Sequence, residues 1–225
     1  MDDKARKLPT LMNAGIAHLR KVQSHFGWDW GPRLPISGIW RDIRLEGFSA
    51  ARLAEVHIQQ QHEGDRVSLT ATVQVESWST ENLTSQLCLT HPDGKTQKVE
   101  ATVIERNTPV CLILNVDTPH LWWPNGLGAQ PLYLAEVELT DNGRCLDRQI
   151  YQVGLRRLEL CQDSDEWGKT FTFVVNGVPV FAKGADWIPA DSFPSRLTPE
   201  RYERWIRDCA AANMNLDCVG FGSHG

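Results

Sequence analysis

The chain has 225 residues, 41% hydrophobic and 23% charged, which is globular rather than disordered in composition and long enough for one large domain or two ordinary ones. Its formal net charge of −5 argues against a general nucleic-acid binder, and no stretch resembles a membrane span of about 20 apolar residues. The start, MDDKARKLPT, is charged with no apolar run behind it, so no secretory signal is visible and a cytoplasmic location with reduced thiols is expected.

Six cysteines (88, 111, 145, 161, 209 and 218) stand singly, and the seven histidines form no HxxxH or HExxH pattern. No metal site and no cofactor are therefore expected. Nine tryptophans are the unusual number. A buried indole N–H needs a partner, and aromatic faces stack on the C–H faces of sugars, so the excess leans toward carbohydrate chemistry.

In chain order, residues 1–49 carry FGWDWGP at 26–32 and then GIWRDIRLEGF, where Ile39, Arg41, Ile43 and Leu45 predict a half-buried strand. So short a piece makes no core of its own and reads as the tail of a larger β domain. Residues 50–157 are a run of strands. In VSLTATVQV, Val67, Leu69, Ala71, Val73 and Val75 alternate with Ser68, Thr70, Thr72 and Gln74, the period of a strand with one buried face. TSQLCLT, KVEATVIE, VCLILNV, LYLAEVEL and RQIYQVGLRRLEL follow, with turns at Pro92-Asp93-Gly94 and Asp141-Asn142-Gly143. Six or seven short strands in about a hundred residues predict an immunoglobulin-like sandwich.

From residue 158 the texture changes. FTFVVNGVPVF predicts a hairpin with Asn176-Gly177 as a type I′ turn, and AKGADWIPADSF reads as a loop. Thr198-Pro199 predicts an N-cap and first helical residue, with Tyr202, Trp205, Ile206, Cys209 and Ala210 on one helix face and Asn213 as the stop. NLDCV then begins a further strand. The overall expectation is mainly β, followed by a β–loop–α–β start.

The candidate binding residues are Trp28, Asp29 and Trp30. On an extended backbone the two indoles share a face and Asp29 takes the other; in a turn all three can line one pocket. A carboxylate accepts charge-assisted hydrogen bonds from neighbouring sugar hydroxyls while a tryptophan walls the ring. The competing reading is two core tryptophans with Asp29 capping a turn.

RKVQSHFGWDWGPRLPISGIWRDIRLE, LWWPNGLGAQPLY, VGLRRLEL, FVVNGVPVFAKGADWIPADSFPSR and YERWIRDCAAANMN resemble, in this order, the β-mannosidases of glycoside hydrolase family 2. GIWRD alone indicates the family at large; FGWDWGP with GADWIPAD points to the mannosidase branch. The resemblance implies three parts. Residues 1–49 would end a jelly-roll-like sugar-binding domain, 50–157 would form the immunoglobulin-like β-sandwich, and 158–225 would open an incomplete catalytic (β/α)8 barrel. It also implies a retaining exo-hydrolase acting on terminal β-mannose of an oligosaccharide or glycoside, through two glutamates about 5 Å apart. Trp28, Asp29 and Trp30 would then contact substrate. Asp186 and Trp187, at the end of the first barrel strand, would approach the same pocket or simply pack the loop.

Both family glutamates lie beyond this chain, so no catalytic residue is assigned. Glu136 and Glu138 are expected on the exposed face of a sandwich strand, and Glu200 and Glu203 on a solvated helix face. The tail LDCVGFGSHG departs from the family, with Asp217, Cys218 and Gly220 where an apolar residue, an arginine and a tryptophan are expected. It reads as a frameshift, a truncated gene or a degraded gene, and the chain as a fragment at both ends, inactive by itself. Two other readings stand beside this one: another exo-acting family 2 enzyme (a β-glucosaminidase or β-galactosidase), and a non-catalytic carbohydrate-binding or adhesion module.

Overall fold

The computed structural model describes Lys21 and residues 23–28, 31–39, 41–78, 82–103 and 108–219. The chain divides into two compact units, Leu45–Phe181 and a second formed by Met1–Arg44 with Ala182–Gly225.

Two short strands, β1 (Phe26–Trp28) and β2 (Gly31–Arg33), precede the larger unit in the chain. That unit opens with seven strands: β3 (Ala51–Glu63), β4 (Arg66–Ser77), β5 (Leu83–Thr90), β6 (Thr96–Thr102), β7 (Val110–Asp117), β8 (Tyr133–Asp141) and β9 (Arg144–Val153). They form two antiparallel sheets, ordered β3-β4-β7 and β6-β5-β8-β9, the arrangement of an immunoglobulin-like sandwich. The alternation in β4 decides which face is inside. Val67, Leu69, Ala71, Val73 and Val75 are each at most 2% exposed, while Ser68, Thr70, Thr72 and Gln74 lie half-exposed on the other face. Leu87 and Leu89 of β5, Leu112 of β7 and Val137 of β8 meet them from the remaining strands. Along one margin, side chains join the two sheets: Leu53 N–H donates to Asp147 Oδ2 at 2.8 Å, and Gln149 Nε2 donates to the Leu53 carbonyl at 3.0 Å.

Beyond the sandwich, β10 (Leu158–Cys161), β13 (Thr172–Val175) and β14 (Val178–Val180) make a small antiparallel sheet, with the two-residue strands β11 (Ser164–Asp165) and β12 (Gly168–Lys169) pairing between β10 and β13. Asn176 and Gly177 both have positive φ, +51° and +81°, as a type I′ turn requires. The Asn176 side chain also ties the hairpin down. Its Oδ1 accepts from Arg157 N–H at 2.9 Å and its Nδ2 donates to the Trp122 carbonyl at 3.0 Å. Arg156 lies over the Trp122 ring, 4.8 Å from its centroid. These contacts group the hairpin with the sandwich rather than with the residues that follow Phe181.

In the second unit, β15 (Gly184–Trp187) runs parallel to β16 (Leu216–Val219), and α1 (Pro199–Ala211) connects them. The loop reading of AKGADWIPADSF is therefore corrected at its centre. Strand character there comes from pairing with a segment far along the chain, which local composition does not carry. A Cβ at Gly184 would sit 1.7 Å from the Leu216 carbonyl oxygen, so this approach requires glycine. Thr198 caps the helix through its side chain, Pro199 is its first residue, and Asn213 follows it at φ +61°.

GIWRDIRLEGF is a second correction. The described residues of this stretch form no strand, and Ile39, Ile43 and Leu45 are 77%, 78% and 101% exposed. Alternation makes a strand only where a neighbour takes up its N–H and C=O groups. Among the described residues before Ala51, β1 and β2 pair solely with each other.

Candidate functional site

The FGWDWGP stretch starts from a short 3-10 turn, Gln23–His25, and continues directly into β1. β1 and β2 are antiparallel, with Phe26 opposite Arg33 and Trp28 opposite Gly31. Asp29 and Trp30, between the two strands in the chain, lie outside the described residues, and of Trp28 the backbone alone is described. Gly27 has φ +94°, which β1 reaches without strain because no side chain is present. At the base of the pair, Leu34 N–H donates to the His25 carbonyl at 2.9 Å.

Against this base stands the loop after β15. Ser24, His25, Gly31 and Pro32 line one side of a narrow recess, and Asp191 and Ser192 line the other. The structure thus brings the flanks of FGWDWGP and the end of GADWIPAD to one place. Asp186 and Trp187 belong to β15 instead. Trp187 turns to α1, stacking on Tyr202 at 6.2 Å between ring centroids and meeting Trp205 edge-on at 6.1 Å.

Asp191 is held from several directions. Its Oδ1 accepts from Phe193 N–H at 2.8 Å, its Oδ2 accepts from Arg201 at 3.3 Å, and Arg196 lies 3.9 Å away. The Phe193 N–H first, then the Arg201 hydrogen bond and the two guanidinium charges, hold its carboxyl below the usual aspartate value. Arg201 also donates to the Arg196 carbonyl at 3.0 Å and lies over the Trp205 ring, so one arginine fixes the loop to α1. His25 is 8% exposed, and its Nδ1 has no hydrogen-bond partner among the described residues. Burial, and then the Lys21 charge, lower its pKa from 6.5, so the ring is neutral at pH 7.

His25 and Asp191 are the site residues that sequence reasoning did not single out. A lone histidine beside an aromatic motif looks like packing. Asp191 ends a motif in which the family resemblance singled out Asp186 and Trp187 instead. Among the described residues Asp191 is the recess's one carboxylate. The other candidate acids lie elsewhere: Glu136 and Glu138 on the outer face of β8, with Glu136 3.6 Å from Arg148, and Glu203 paired with Arg207 at 2.6 Å on α1.

The sequence pattern described as "Glycosyl hydrolases family 2" matches residues 51–156, and "Glycosyl hydrolase 2 galactose-binding domain-like" matches residues 2–41. Over 199 residues the chain is 39% identical to "Beta-mannosidase B" of Emericella nidulans, an alignment covering 87% of this chain and 23% of that protein. The Aspergillus niger "Beta-mannosidase B" is 37% identical over 203 residues, covering 88% of this chain and 24% of its own. Among solved structures, the β-D-mannosidase of Dictyoglomus thermophilum matches with a TM-score of 0.82 at 34% identity, over 88% of this chain and 25% of that one. An exo-chitosanase of Amycolatopsis orientalis matches in fold, with a TM-score of 0.62 at 23% identity, over 79% of this chain and 20% of that one. The chain spans about a quarter of the length of the mannosidases it matches.

Proposed function

We propose that this chain, which belongs to glycosyl hydrolase family 2, is a segment of a retaining exo-β-mannosidase that removes terminal β-mannose from an oligosaccharide or glycoside. Residues 1–49 end its jelly-roll-like sugar-binding domain, 50–157 are its sandwich and 158–225 open its catalytic barrel. Trp28, Asp29 and Trp30 read the terminal sugar. Asp29 accepts hydrogen bonds from hydroxyls remote from the anomeric carbon, and the indoles wall the ring. The observation carrying this reading is the shared recess, which puts the two motifs most typical of the mannosidase branch side by side. Retaining hydrolysis takes a nucleophilic and an acid/base carboxylate about 5 Å apart, and this segment supplies neither.

Two measurements test the reading. The purified chain is expected to release no product from an aryl β-mannoside above the uncatalysed rate, and turnover with contamination excluded would overturn the assignment of its carboxylates. The second uses a chimera in which this chain replaces the matching quarter of the Dictyoglomus thermophilum enzyme. There Asp29→Ala is expected to lower kcat/KM about 30- to 1000-fold, because a charged partner lost from shielded sugar hydroxyls costs roughly 2–4 kcal/mol. Asp29→Asn keeps the shape and loses the charge. Both variants within a few-fold of the parent would return Asp29 to a turn cap. Preference for an aryl β-glucosaminide or β-galactoside would reassign the substrate.

A further inference from the structure

Two Asn-Gly pairs stand in the same turn and differ in one respect. Asn142-Gly143 joins β8 to β9, and Asn176-Gly177 joins β13 to β14. Each is the two-residue loop between a closing pair, Asp141–Arg144 and Val175–Val178 respectively. The asparagines have φ +48° and +51°, and both glycines have φ +81°, so the backbone is the same type I′ turn in both. The third pair, Asn125-Gly126, lies in a turn of another kind, closed by Leu127 N–H on the Pro124 carbonyl. What separates the first two is the asparagine side chain. Asn176 is half-buried, and both ends of its amide are taken up by backbone groups, Arg157 N–H at 2.9 Å and the Trp122 carbonyl at 3.0 Å. Asn142 is exposed, and among the described residues its amide makes a single bond, Nδ2 donating to its neighbour Asp141 at 2.9 Å.

We infer that Asn142 is a site of spontaneous deamidation in the folded protein, and that Asn176, in the same turn, is protected by its two backbone partners. In this reaction the Gly143 amide nitrogen attacks Asn142 Cγ. The Cγ–Nδ2 bond breaks, the displaced Nδ2 leaves as ammonia with the proton of the glycine amide, and a five-membered succinimide remains. Water then opens the ring on one side to aspartate, and on the other to isoaspartate, whose main chain runs through Cβ. Glycine, with no Cβ, leaves its nitrogen open to the attack. The remaining requirement is an asparagine side chain free to bring Cγ onto that nitrogen. Freeing Asn142 breaks one water-exposed bond. Freeing Asn176 breaks two and leaves the Trp122 carbonyl unpaired, which slows the reaction about ten-fold further. Isoaspartate at 142 adds a methylene to the loop that the Asp141–Arg144 pair closes, and either product puts a second carboxylate beside Asp141. None of this rests on the sugar reading.

Peptide mapping of the full chain tests it. The protein is aged at pH 8 in its folded form and, in parallel, unfolded in guanidinium chloride, and aspartate plus isoaspartate are quantified at both positions. Each position's unfolded rate divided by its folded rate is the protection that structure provides, so the different sequence neighbours, Asp141 and Val175, cancel. Asn142 is expected to convert in the folded chain, and protection at Asn176 is expected to exceed that at Asn142 by about ten-fold. Protection at Asn176 no greater than at Asn142 overturns the inference. So does an Asn142 that stays intact in the folded chain over the time in which the unfolded sample converts.

Discussion

Ser85 points into the sandwich from β5, fully buried, and its hydroxyl has no partner among the described residues. An unpaired buried hydroxyl costs more than the shape it fills returns, so Ser85→Ala is expected to stabilise the chain by about 1 kcal/mol. A denaturant midpoint at or below that of the parent would contradict this. His25 carries a pH effect of the same local kind. The charged group that acts on it is Lys21, which adds to the effect of burial. Its folded pKa lies below 6.5, so just under that pH the unfolded chain binds more protons than the native one. Its stabilising contribution is complete above about pH 6.5 and is lost as the pH falls through the folded value. Denaturant midpoints at pH 7.5 and 5.5 should therefore differ more for the parent than for His25→Asn.

Asn176 shows how much of an element one residue can hold. Its backbone adopts the left-handed conformation that the β13–β14 turn needs, while its amide binds both Arg157 and Trp122. Asn176→Gly keeps the turn and loses the two bonds, with an expected cost of about 1–2 kcal/mol; Asn176→Ala adds backbone strain and should cost more. Equal midpoints for the two variants would mean that the conformation carries no weight. This element was legible, because Asn-Gly between alternating apolar residues has one good local solution. The strand expected at GIWRDIRLEGF was not, because its alternation describes a partner that the described residues do not supply. β15 failed in the opposite sense: GADW has little strand character, and its pairing with β16 creates it.

Across the molecule, burial is uneven. The sandwich holds nearly all of the fully buried side chains, whereas no residue of α1 is buried despite its clear apolar face. A 13-residue helix without a packed face is marginal in water. Hydrogen exchange should therefore be slowest at β4 and β8 and faster by orders of magnitude along α1. Comparable protection in both would mean that α1 is held by contacts beyond the packing of its Tyr202 and Trp205 on Trp187.

Local order and identity were readable from the residues themselves. The β4 face, the two Asn-Gly turns, the Thr198 cap and the family motifs each depend on neighbours within a few positions. The meeting of the end of FGWDWGP with the end of GADWIPAD was decided by the tertiary structure, as were the burial of His25 and the fixing of Asp191 by Phe193 and Arg201. A recess forms where two distant loops meet, and a histidine's burial and missing partner depend on what packs around it. No period or spacing along one chain encodes that.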